Sequence, residues 1–80
     1  MPLPSKHLEW ALVNAESANR NVERYQATGD PLFLVDALTD AYGAEINYLD
    51  AHRRGEAQAW GNFRAQVRRQ LADTYVRPSR

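Results

Sequence analysis

Residues 46 to 56, Ile-Asn-Tyr-Leu-Asp-Ala-His-Arg-Arg-Gly-Glu, hold a tyrosine, two carboxylates, a histidine and two arginines. These are the side chains of general acid-base sites, in which a carboxylate orients a histidine and a guanidinium holds an anion. Spacing decides whether they can cooperate. On a helix, where successive residues turn by about 100°, Asp50 and His52 lie about 200° apart and face opposite sides. Asp50 is instead one turn before Arg54, and the basic pair complements the negative end of a helix dipole. The stretch therefore reads as the C-terminal end of a helix and not as a catalytic dyad.

Glu45, Tyr48 and His52 do share a helical face, at spacings of three and four. A metal site needs three or four ligands, and the only other histidine is His7. If the first two helices are antiparallel, His7, His52 and Glu45 can meet at one end, but no HExxH-like spacing supports a metal centre. The sequence has no glycine-rich phosphate loop and no GxSxG elbow, and so small a bundle does not readily enclose a substrate-sized pocket. The expectation is a chain that is not an enzyme and that uses neither metal nor cofactor.

The elements that carry these residues are set by breaks in the sequence. Thr28-Gly29-Asp30-Pro31 offers a left-handed C-cap, an N-cap oxygen and a proline preorganised for the first helical position. Before it, Leu8, Leu12, Ala15, Val22 and Tyr25 fall on one face, which predicts a helix over about 5–28. After it, Val35, Leu38, Tyr42, Ile46 and Leu49 form a stripe that predicts a helix over about 31–54. A third stripe, Trp60, Phe63, Val67, Leu71 and Tyr75, predicts a helix over about 56–76, with Gly55 at the break. There are no strand signals, since alternation is absent and Ala, Glu, Arg, Gln and Leu dominate. The expected fold is all-α, a small antiparallel three-helix bundle forming a single domain over residues 1–80. The alternative is a helical hairpin whose second helix runs unbroken from 31 to 76 and forms an obligate dimer. Gly43 and Gly61, inside predicted helices, suggest close approach of a neighbour, with helix 1 crossing over Gly43.

With 80 residues and no cysteine, the chain holds one core and no disulfide. A chain of this length buries only about 60–65% of its unfolded surface, so good packing or association must stabilise it. No apolar run approaches the ~20 residues of a membrane span, and the first residues lack the pattern of a signal peptide. The expected location is cytoplasmic, with no membrane partner. Nine of the ten basic residues are arginine and twelve positions are alanine, a composition associated with GC-rich bacterial or phage genes.

Net charge is zero by cancellation. Residues 1–52 hold three basic and eight acidic residues, net −5, and residues 53–80 hold seven basic and two acidic, net +5. The basic third is a candidate surface for an acidic partner, or the internal counterpart of the acidic helices. Trp10 and Val13 lie well off the first helix's stripe, Phe33 off the second's, and Tyr48 shares a line with Leu34 and Ala41 beside the second stripe. Exposed aromatics of this kind anchor protein interfaces. The reading is a noncatalytic protein-binding module, of adaptor or inhibitor type. It docks Trp10, Val13, Phe33, Tyr48 and His52 with Arg53, Arg54, Arg64, Arg68 and Arg69 onto another protein, such as part of a larger host machine, or onto a second copy as a homodimer. The alternative is a nucleic-acid-binding accessory protein that uses the C-terminal arginines on phosphates.

Overall fold

Gly29 ends the first helix by taking φ 73°, a left-handed conformation that glycine adopts without steric penalty. Its N–H donates to the Tyr25 carbonyl at 2.6 Å. Asp30 then accepts the Leu32 N–H on Oδ1 at 3.0 Å, and Pro31 is already helical at φ −65°. The computed structural model describes residues 6–76, and its helices are α1 (Lys6–Thr28), α2 (Leu32–Asp50) and α3 (Arg54–Val76). The predicted three-helix bundle is what forms.

The second break lies earlier than Gly55. α2 stops at Asp50, and His52 adopts φ 61°. The N–H of Arg53 reaches back to the Tyr48 carbonyl at 2.8 Å and that of His52 to Leu49 at 3.0 Å. These paired bonds are the Schellman closure, with histidine in the position usually given to glycine. Gly55 sits instead in the first turn of α3. The unbroken 31–76 helix is thereby excluded, and the expected Asp50–Arg54 pairing along one helix is lost with it.

α2 lies in the middle. It packs against α1 on one flank and α3 on the other, while α1 and α3 barely meet. The two short dimensions, 20 and 13 Å, are those of a layer wider than it is thick. Both pairs run antiparallel, as the short turns require.

The α1–α2 seam is built from alanine. Ala11, Ala15 and Ala18 on α1 and Ala37, Ala41 and Ala44 on α2 are all buried, each set at spacings of four and three. Such small side chains let the helix axes approach to the lower part of the usual 8–10 Å range. Over Gly43 a Cβ would sit 2.8 Å from the Asn14 amide, which is the predicted close crossing, made by Asn14. Polar side chains complete the seam. Asp40 accepts hydrogen bonds from Ser17 Oγ at 2.6 Å and from the buried Asn21 Nδ2 at 3.0 Å. No buried side-chain nitrogen or oxygen among the described residues lacks a partner.

At the other end of the layer Tyr48 joins Ala11, Ala15, Ala44 and Ala57 in one cluster, flanked by Leu8 and Trp60. Val67 is buried on α3, with Trp60, Phe63 and Leu71 half-buried beside it. The third predicted stripe therefore faces inward as expected, except for Tyr75, which lies outside the described side chains. The second stripe does not. Leu34, Ala37, Ala41, Ala44 and Tyr48 take the inner face of α2, and Val35, Tyr42, Ile46 and Leu49 are exposed. Leu12 of the first stripe is exposed as well. The larger residues were expected inside, but a helix with partners on two flanks buries the line that lies between them, and on α2 that line carries alanine.

Candidate interaction surface

The outer side of the layer carries the residues that the fold leaves uncovered. On α2, Val35, Tyr42, Ile46 and Leu49 recur at 3.6-residue spacing, and Tyr42 and Leu49 keep 53% and 47% of their surface in solvent. Leu38, half-buried, lies within the same arc. Trp10 and Val13 of α1 are 52% and 66% exposed. Both lie off the line of Ala11, Ala15 and Ala18 that meets α2, and Trp10 stands on the flank of the seam where His7 meets Asn47 and Asp50. Trp10 is steadied by an edge contact with the His7 ring, whose centroid lies 5.3 Å away. Monomeric proteins seldom expose contiguous apolar patches larger than a few hundred Å².

Along the α3 margin this face turns basic. Arg64 donates from Nε to Glu45 Oε1 at 3.1 Å, and its Nη2 lies 2.9 Å from the same oxygen. Its guanidinium lies 5.2 Å from the centre of the Tyr42 ring, a cation–π arrangement. The Glu45 carboxylate rests on Gly61, where a Cβ would come within 2.9 Å of it. Gly61 thus provides the space for this ion pair. Beside it an open groove of about 330 Å³ is lined by Leu38, Thr39, Tyr42, Arg64 and Arg68. It has an apolar floor and two guanidiniums at the rim.

The remaining sequence candidates disperse. Tyr48 is only 6% exposed and belongs to the core, so it is not a surface anchor. Phe33 is half-buried next to the first turn. His52 is exposed in the second turn, after α2 has already ended at Asp50. Arg53 binds Glu56 through Nε and Nη2 at 3.0 and 2.6 Å. That hydrogen bond holds the Glu56 carboxyl below its ordinary pKa and raises that of Arg53. Arg54, Arg68 and Arg69 are exposed and make no ion pair among the described residues.

His7, His52 and Glu45 do not converge. His7 Nδ1 is 3.2 Å from Asn47 Oδ1 and 3.7 Å from Asp50 Oδ2, whereas Glu45 points across to α3. No group of three potential metal ligands occurs among the described residues. Asp50 thus meets a histidine after all, but His7 on α1 and not His52. No described helix is long and apolar enough to cross a membrane.

Neither a family model, nor a curated protein, nor a solved structure matches the chain. Sequence reasoning missed Val35, Tyr42, Ile46 and Leu49 as surface residues. The signal that could have found them is the pair of alanine lines, 11/15/18 and 37/41/44, whose matching spacing defines the tight seam and turns the larger side chains outward.

Proposed function

We propose that the chain is a noncatalytic protein-binding module whose docking face is the outer side of the layer. The observation that carries this reading is the inversion of side-chain size: alanine fills the α1–α2 seam while Trp10, Val13, Val35, Tyr42, Ile46 and Leu49 stand in solvent. A complementary partner presents an apolar helix with an acidic side chain. The helix covers the α2 stripe, and the carboxylate meets Arg68 at the groove rim. Aromatic anchors surrounded by a polar margin are the usual composition of binding hot spots. The nucleic-acid reading has less support, because Arg53 and Arg64 are committed to carboxylates of the chain itself.

The test compares the wild type with Trp10→Ala and Ile46→Glu, each checked for intact helicity by circular dichroism. Protein association, with itself or with another protein, should weaken at least tenfold in both variants. Unchanged association in both, or none in the wild type, would overturn the reading. Tight binding to DNA or RNA at about 50 mM salt that survives both substitutions would transfer the function to the arginines.

A further inference from the structure

The α2 stripe has an internal symmetry that identifies its occupant. Measured from Tyr42, Leu38 and Ile46 lie four residues to either side, and Val35 and Leu49 lie seven. A stripe arranged in this way is complementary to itself under a two-fold axis that passes by Tyr42 and reverses the helix direction. We propose that the outer face of α2 docks against the same face of a second copy, antiparallel, with Tyr42 at the crossing. The proposal rests on the protein-binding reading and names its partner.

The symmetry operation sets Val35 against Leu49 of the second copy and Leu38 against its Ile46, so each aliphatic of the stripe meets another. The margin matches too. Arg68 lies at the level of Leu38 and Thr39, which the axis carries to the level of Ile46 and Glu45. The unpaired guanidinium of each copy thereby arrives beside the other's Glu45–Arg64 pair and adds a second cation to that carboxylate. Antiparallel α2 helices also oppose their dipoles favourably. An isologous contact of this kind closes as a dimer and leaves no edge for further growth.

The chain has no cysteine, so introduced thiols report the register directly. Facing helices 8–10 Å apart bring opposed Cα atoms to about 4–6 Å, within disulfide range. Under mild oxidation Tyr42→Cys should form a covalent dimer. Val35→Cys and Leu49→Cys should cross-link when mixed but not singly, and Gln66→Cys, on the far side of α3, should not cross-link. Light scattering should give twice the chain mass for the wild type and the chain mass for Ile46→Glu and Tyr42→Glu, with helicity retained. Efficient Val35→Cys self-linking, or a dimer indifferent to both glutamates, would overturn this geometry. A wild type that stays monomeric to about 0.5 mM would overturn self-docking. The protein-binding reading itself would stand in that case if the outer face still captured another protein in an Ile46-dependent way.

Discussion

His52 is the residue at which local chemistry and local geometry disagree most. A non-glycine residue in the left-handed region costs about 1 kcal/mol, yet the two hydrogen bonds of the α2 closure require that conformation. His52→Gly is therefore expected to stabilise the fold by about 0.5–1 kcal/mol, read as a higher midpoint in urea at unchanged slope. A lower midpoint would show that the imidazole makes a contribution beyond occupying the turn. One residue further on, the Arg53–Glu56 pair has a pH signature. The folded-state pKa of Glu56 lies below its ordinary value, so its contribution is present at neutral pH and is lost as pH falls through that lowered value. Glu56→Gln should weaken the fold slightly at pH 7 and leave it unchanged near pH 2, with both ends measured by thermal melts. Equal effects at both ends would remove the ion pair from the account.

At the scale of elements, the two sides of α2 respond in opposite ways to a change in size. Ala41 is fully buried in the close seam, so Ala41→Leu must push α1 and α2 apart, and a loss of about 1–3 kcal/mol is expected. Ile46→Ala, on the outer side, should leave the intrinsic stability of the isolated chain within about 1 kcal/mol while weakening association. Asp40→Ala strands Asn21, whose amide is buried and bonded to that carboxylate, at a cost of about 1–3 kcal/mol. These comparisons also show what the amino-acid pattern could reveal. Helix number, the Gly29-Asp30-Pro31 turn and the inward face of α3 were legible, because capping chemistry and a stripe with a single partner act locally. The facing of α2 was not. Its apolar residues cover more than half the circumference, and which side is buried depends on where α1 and α3 sit, a tertiary fact that hydrophobic periodicity alone does not encode. The close approach at Gly43 was legible for the same local reason as the turn, since a glycine inside a helix needs a neighbour to justify it. That the neighbour is Asn14 was not, because the register of the seam is fixed by both alanine lines together. Among the candidate site residues, the exposure of Trp10 and Val13 was legible from their angle to α1's stripe, while Tyr48 was assigned to the surface because Val35, Tyr42 and Leu49 were taken for the core.

For the whole molecule the same inversion becomes a question of mass action. The acidic first part and the basic last part are joined across helices, among the described residues, by the Glu45–Arg64 pair, so internal charge attraction adds little to a core this small. Surface pairs contribute about 1 kcal/mol at most, and this one, partly buried, is a single pair. Stability must come from apolar burial, and the outer side of α2 leaves Val35, Tyr42, Ile46 and Leu49 uncovered. If two copies close on that area, folding and association are coupled, and the melting temperature depends on concentration. A hundredfold rise in total chain should stabilise the wild type by about 2.7 kcal/mol per dimer, a shift of several degrees in the melting midpoint. Ile46→Glu should melt at one temperature throughout that range, below the wild type at high concentration and close to it at low. A wild-type midpoint that does not move over the same hundredfold span would mean that the α1–α2 seam and the Tyr48 cluster hold the fold alone. The uncovered stripe would then be reserved for a different protein.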